Sequence, residues 1–389
     1  MNTRPAIEPS VSPAALYAAF NDDATCFSVG LDSGFCIFNS DPCELRVSRD
    51  FNGGVGAVDM LARANYIALV GGGKQPKFPL NKVIIWDDAK QKAVITLEFR
   101  TAVRRVRLTR QRIVVVLQNS VHVYIFSSPP EKVSISETAD NPLGLCCLSS
   151  QLLAFPGRTP GQVHLVELET GVVRIIPAHT SPLRAIEISP DGEIMATASE
   201  TGTLIRVFGT SNGARIAELR RGVDHASIFS ISISPSSQML AVTSDKSTLH
   251  VFDMPHPSKA ARPDSNNPNR RLTSMGSGSP SPVGDEAPTQ KWGILSRIPM
   301  LPRVFSDIYS FASAHFELGD SVSQESSLLD SVSETSRPRK GVIGWTSDHS
   351  LIVISAGRDG RWEKFILAEG EDGKRYCVRD GWKRYLGPS

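Results

Sequence analysis

The chain has 389 residues, a formal net charge of +2, 40% hydrophobic and 21% charged residues, the balance of an ordinary globular protein. That length allows one large core or two to three average domains, and the composition excludes disorder throughout while leaving room for one disordered segment. Near-neutral charge excludes a strongly basic nucleic-acid coat, so any anion recognition must come from a local cluster of basic residues.

Residues 1–13 read as a flexible tail. The opening MNTRPAIEPSVSPAALYAAF has no apolar run long enough for a signal peptide. After it, short β-branched runs recur between turn signals: CFSVG (26–30), FCIFN (35–39), YIALV (66–70), KVIIW (82–86), RIVVVL (112–117), HVYIF (122–126), IMATAS (194–199) and LAVTS (240–244). Many come as pairs across a turn, which is the pattern of β-hairpins. The glycines of GGGKQPKFPLNK (71–82) resemble a phosphate loop only superficially. The spacing fails, Gln75 stands where a magnesium-holding hydroxyl is needed, and no helix follows, so a long hairpin turn is expected.

Two stretches are close copies: IEISPDGEIMATASETGTLIRVF (186–208) and ISISPSSQMLAVTSDKSTLHVF (231–252). Their spacing of about 45 residues suits a propeller blade of four strands. A weaker copy opens the chain near residue 20, and others fall near 55–98, 101–137, 142–176 and 341–368. Without one insertion, about 300 residues at about 44 each make seven blades. The fold class expected is therefore all-β: a seven-bladed, WD-repeat-like β-propeller over residues 14–389, with a long, largely disordered insertion in the sixth blade. The competing architecture is one or two β-sandwiches, against which the regularity of the hairpin copies speaks. Which strand closes the ring is left open by the pattern.

Residues 255–340 break the repeat. Their flanks, 255–290 and 324–341, are rich in Pro, Ser, Asn and Gly and offer no apolar surface to offset chain entropy. Between them, 291–317 holds Trp292, Ile294, Leu295, Leu301, Phe305, Ile308 and Phe311, interrupted by Lys291, Arg297 and Arg303. From Leu301 the apolar positions 301, 304, 305, 308, 309 and 312 fall on a helical stripe. The expectation is a surface-inserting segment, apolar face into the headgroup–acyl boundary and basic flanks toward anionic lipid. Two alternatives stay open: a loop folded back on the propeller, and a helix for a partner protein.

Residues 218–225 read ELRRGVDH. Neighbouring side chains on a strand point to opposite faces, so Arg220 and Arg221 can anchor two pockets, one on each side. Arginine suits phosphate because its planar fork donates two parallel hydrogen bonds. Gly222 lets the chain turn and a ligand approach the backbone.

Leu219-Arg220-Arg221-Gly222 after one hairpin and SDKSTLHVFD in the next resemble the PROPPIN family, and the likeness covers nearly the whole chain. It extends to NKVIIWDD (81–88), AHTSPLRAIEIS (178–189), ASETGTLIRVF (198–208) and LPRVFSDIYSF (301–311). Leu219 stands where many members have Phe, an apolar exchange that leaves both arginines in place. The resemblance implies a seven-bladed propeller that binds phosphatidylinositol 3-phosphate and 3,5-bisphosphate in autophagy. It implies a first pocket of Arg220 with His179, Ser199, Thr201, Thr203 and Arg206. The second would use Arg221 with His225, Ser244, Lys246, Thr248 and His250. Each set joins a cation, hydroxyl donors and an imidazole, the groups that a phosphorylated inositol requires. The bland alternatives are local turn hydrogen bonds for the hydroxyls and a structural role for His179.

Two headgroup sites and one inserted segment would act together, since linking weak contacts raises avidity. The disk would stand edge-on to the membrane. Family members recruit an autophagy lipid-transfer protein, which points to the rim near blades one to three, with Asn21, Asp23 and the loop 71–82 as candidates. The expected location is cytoplasmic, peripherally on preautophagosomal, endosomal or vacuolar membranes, and the expected solution state is a monomer. No nucleic-acid partner, cofactor or metal is expected. Six irregularly spaced cysteines make no disulfide framework or zinc pair, and no catalytic motif is found, so an enzyme is not expected.

Overall fold

A computed structural model describes residues 13–255, 308–318 and 339–386. Within them every regular element is a strand. The strands form seven sheets in chain order, antiparallel except for one added edge strand: 15–50, 55–98, 105–137, 147–177, 183–220 with 308–309, 228–253 with 312–315, and 342–384. These are blades one to seven, and the expected propeller is the architecture found. No helix among the described residues is long and apolar enough to cross a membrane.

The first strands lie innermost, since around most of the ring first strands of successive blades contact one another. Fourth strands are outermost and largely exposed, as in Glu44–Asp50 and Glu131–Glu137. Alternation along the middle strands buries one row of side chains against each neighbouring blade, so the core is a series of inter-blade layers. Phe27, Phe35, Phe155, Phe252 and Phe365 are fully buried in these layers.

The turn SPDG in blade five and SPSS in blade six have one geometry. Gly192 (φ 76°) and Ser237 (φ 61°) are both left-handed, and each donates its amide to the carbonyl three residues back at 2.8 Å. The Ser189 and Ser234 hydroxyls then accept the amides of Ile194 and Met239 at 2.9 and 3.1 Å. The ring closes between blades seven and one without exchanging a strand. Ala15 and Gly357 exchange backbone hydrogen bonds at 3.0 and 2.9 Å, and Trp362 Nε1 donates to the Ser40 carbonyl at 2.9 Å.

The stretch 255–340 is not a single insertion. Ala312–His315 pairs antiparallel with Thr248–Asp253 and completes blade six. Ile308–Tyr309 pairs in parallel with Leu219 and Arg220, adding a fifth strand to blade five. The helical stripe read from Leu301 to 312 is thus corrected at its described end, where the backbone is extended. Hydrogen bonds to two sheet edges, with Phe316 buried below, outweigh a periodicity that only six positions defined.

Candidate functional site

Blades five and six present matching turns side by side. Ser199–Thr203 joins strands Ile194–Ser199 and Leu204–Gly209, and Ser244–Thr248 joins Met239–Ser244 and Thr248–Asp253. Gly202 and Ser247 hold the left-handed position, φ 62° and 57°, and donate to the Ser199 and Ser244 carbonyls at 3.0 and 3.1 Å. Hydroxyls gather at each turn: Ser199 and Thr201 lie 2.9 Å apart, Ser244 and Thr248 3.4 Å. A Cβ on Gly202 would fall 1.7 Å from the Ala226 carbonyl oxygen, so that position admits only glycine.

The two arginines lie between these turns. Arg220 ends the strand Arg215–Arg220, flanked by Leu204 on one side and Tyr309 on the other. Arg221 is only 9% exposed. Its amide donates to the Thr203 carbonyl at 3.0 Å, its Nε to the Gly202 carbonyl at 2.7 Å, and its Nη2 to the Asp224 carbonyl. Burial lowers the Arg221 pKa, while the Asp245 and Asp224 carboxylates pull the other way. Arg221 therefore rests on the blade-five turn and lies within electrostatic reach of Asp224 and of Asp245 in the blade-six turn.

The residues expected around Arg220 divide. Ser199, Thr201 and Thr203 belong to the turn just described. His179 and Arg206 are committed within blade five. His179 Nε2 shares a hydrogen bond with Thr197 Oγ1 at 2.9 Å, and burial, then Arg206, push the imidazole down to about 4. Arg206 pairs with Glu218 at 2.8 Å and donates to the Ala178 carbonyl at 2.7 Å.

On the blade-six side, His225 and Lys246 are exposed, while Ser244 and Thr248 sit in the turn. His250 is half-buried. Burial first, then Arg221 and His315, push it down to about 4, so it is neutral near pH 7. Its Nδ1 shares a hydrogen bond with Ser310 Oγ at 3.2 Å. Ser310 and Tyr309 thus join the site, and their long-range pairing left no signal in the sequence. Glu218 was missed too, although the hairpin register places it opposite Arg206.

Of the insertion candidates, Trp292, Ile294, Leu295, Leu301 and Phe305 lie outside the described residues. Ile308 is 39% exposed at the blade-five edge. Phe311 corrects its assignment: it packs on the core between blades six and seven, with the Arg375 guanidinium 3.7 Å from its ring centre. On blade one, Asn21 is buried and shapes its own turn, accepting from the Cys26 amide at 3.0 Å, so it offers a partner little surface. Asp23 is exposed and pairs with Arg63 at 3.2 Å. Two surface hollows, one around Ala314, Phe365 and Cys377 and one around Asp41, Ser347 and Lys364, are lined by neither Arg220 nor Arg221. Among the described residues no group of three His, Cys, Asp or Glu side chains could hold a metal.

Paired turns around adjacent arginines on a seven-bladed ring can be set beside known proteins. The PROPPIN family model matches residues 14–277. The chain belongs to the PROPPIN family. It is 62% identical over 328 residues to SVP1-like protein 2 of Emericella nidulans, covering 84% of this chain and 99% of that one. Against SVP1-like protein 2 of Neurospora crassa it is 47% identical over 430 residues, covering 100% and 99%. Among solved structures, Kluyveromyces lactis Hsv2 superposes with a TM-score of 0.72 at 25% identity, covering 96% of this chain and 100% of that one. PROPPINs are phosphoinositide-binding propellers of autophagy, binding scaffolds rather than enzymes, and at that family level the chain's function follows.

Proposed function

We propose that this PROPPIN binds phosphatidylinositol 3-phosphate and 3,5-bisphosphate at two sites flanking Leu219-Arg220-Arg221-Gly222 and recruits autophagy proteins to the membranes that carry them. The observation that carries this reading is the buried Arg221 between duplicated hydroxyl-bearing turns. Arg221 donates its side-chain N–H groups to the neutral Gly202 and Asp224 carbonyls, so it keeps net charge to offer an anion. On the blade-five side Arg220, Ser199, Thr201 and Thr203 meet the phosphates, while His179 and Arg206 brace the turn from behind. On the blade-six side Arg221 is joined by Ser244, Thr248 and His250, with Lys246 and His225 at the exposed lip.

Gly222 supports the same reading. Its φ lies outside the left-handed region, and a Cβ there would meet nothing within 4 Å. The chain's own packing does not require glycine, whereas a close ligand does.

Residues 291–307 supply apolar and basic side chains for membrane contact, and the strand Ile308–Tyr309 ties that segment to Arg220. Shallow headgroup contacts and an inserted segment reinforce each other through effective concentration. The protein acts peripherally on preautophagosomal, endosomal or vacuolar membranes, with Asp23 and the loop 71–82 on the side left for an autophagy lipid-transfer protein.

Liposome flotation tests this. Vesicles carrying phosphatidylinositol 3-phosphate float the protein, and Arg220→Thr/Arg221→Thr abolishes it at unchanged fold. Equal flotation by the double variant would overturn the lipid assignment and leave a propeller that binds only proteins. Replacing Trp292 and Phe305 with Asp weakens flotation while a soluble headgroup still binds.

A further inference from the structure

The axis of the propeller holds a cluster of charges that the rim does not use. Tyr17 from blade one, Asp59 from blade two, Arg105 and Arg107 from blade three, Cys146 beside blade four, Glu187 from blade five and Arg339 before blade seven act on one another electrostatically. Groups from six blades come within mutual reach only around the central channel. Arg107 pairs with Asp59 at 2.7 Å, yet 26% of its side chain stays open to water. Beside Arg107 the channel therefore leaves unfilled space that a small polar species could enter. Arg339 donates toward the Tyr17 hydroxyl at 3.4 Å, its guanidinium 5.4 Å from the ring centre.

The charges do not balance. Three guanidinium groups face two carboxylates. Burial opposes the charge on Arg107, but Asp59 overrides it and holds the guanidinium protonated. Glu187 is pushed up to about 7 by burial, so near neutral pH it is half discharged. Arg105 is only 8% exposed, and of the two carboxylates within its electrostatic reach Asp59 is already paired with Arg107 while burial pushes Glu187 toward its neutral form. Burial, then Arg339 and Arg107, push Arg105 down to about 9. A buried cation so placed beside two others is costly unless an anion completes the site.

We propose that the axial channel binds a small oxyanion of the phosphate class, held by Arg105 and Arg339 with Arg107 kept in place by Asp59. Arginine forks match a tetrahedral oxyanion through paired N–H donors. This site is separate from the rim and does not rest on the lipid assignment.

The test uses the full chain carrying Arg220→Thr/Arg221→Thr, so that the rim cannot answer. Inorganic phosphate is added to protein in chloride buffer at constant ionic strength. Phosphate raises the thermal midpoint by about 2–4 °C over chloride, and titration calorimetry reads a single site. Arg105→Gln removes that shift, while its phosphate-free midpoint stays level or rises because like-charge repulsion is relieved. If Arg105→Gln does not fold, Arg339→Gln, on a half-buried side chain, reads the same loss. Vesicles carrying the lipid produce no shift in this background, which separates free phosphate from a headgroup as the source. An unchanged shift in the folded Arg105→Gln or Arg339→Gln protein, or no phosphate-specific shift in the parent, overturns the proposal.

Discussion

Blades five and six share a sequence pattern but are completed differently. Blade five takes its four strands consecutively, whereas blade six waits through residues 254–311 for its fourth. Loop-closure entropy grows slowly, about 0.6 kcal/mol per doubling of length, so the delay costs little. What selects Ala312–His315 as the closing strand is burial just beyond it. Phe316 is 2% exposed between blades six and seven, and its amide donates to the Ser247 carbonyl at 3.1 Å. Phe316→Ala is expected to cost about 3–5 kcal/mol in urea unfolding, and Phe311→Ala less, because that ring is half-buried. A cost below about 1 kcal/mol for Phe316→Ala would mean that another contact closes the blade.

The arginines carry the contrast further. Arg221 donates to the Gly202 and Asp224 carbonyls, so Arg221→Ala is expected to cost about 1–3 kcal/mol in stability besides its binding effect. Arg220→Ala, at the half-buried strand end, costs less. Titration of a soluble headgroup at a temperature where both variants are fully folded separates the two effects. Equal stability losses would show that Arg221 does not brace the turn.

Protonation sharpens the comparison. His179 and His250 both lie near 4, below the ordinary 6.5. The unfolded chain takes up these protons first, so stability falls as pH drops from about 6.5 to 4, by roughly 2–3 kcal/mol for His179. Glu187 has the opposite sign. With its pKa raised to about 7, it stabilises most below about pH 4.5 and loses that contribution as pH rises through 7. Glu187→Gln should therefore steepen the loss toward acid. The histidines themselves differ in what holds them neutral. Arg206 beside His179 is already paired with Glu218, whereas Arg221 beside His250 is where an anion would dock. Headgroup binding should tighten severalfold from pH 7 to 5.5, a gradient lost in His250→Gln and kept in His179→Gln. Loss in both variants would mean that the two sides act alike.

The blades were legible because their signals are local. Ser189-Pro190-Asp191-Gly192 and Ser234-Pro235-Ser236-Ser237 each fix a turn through bonds that span five residues or fewer. The two arginines stood out for a similar reason, as adjacent cations between two copies of a hairpin. Less visible was everything that joins distant segments. Arg107 with Asp59, Phe311 under Arg375 and Ser310 beside His250 pair residues that share no sequence pattern. A short apolar run such as 304–312 fits helix and strand alike, and tertiary pairing decides between them.

The smallest expected change is the most discriminating. Gly202 lies within the blade-five turn and Gly222 just after Arg221, and both look like backbone glycines in the sequence. At Gly202 an alanine Cβ would meet the Ala226 carbonyl, and φ is left-handed, so Gly202→Ala must distort the turn. At Gly222 a Cβ meets open space with φ in the ordinary range. Gly222→Ala should therefore raise stability by about 0.4–1 kcal/mol, chiefly by restricting the unfolded chain. If that open space belongs to a headgroup, the same methyl weakens phosphoinositide binding severalfold while the protein becomes more stable. Stability and affinity moving in opposite directions separate a ligand-imposed glycine from a packing-imposed one. Unchanged affinity in a stabilised Gly222→Ala protein would place the lipid elsewhere on the rim.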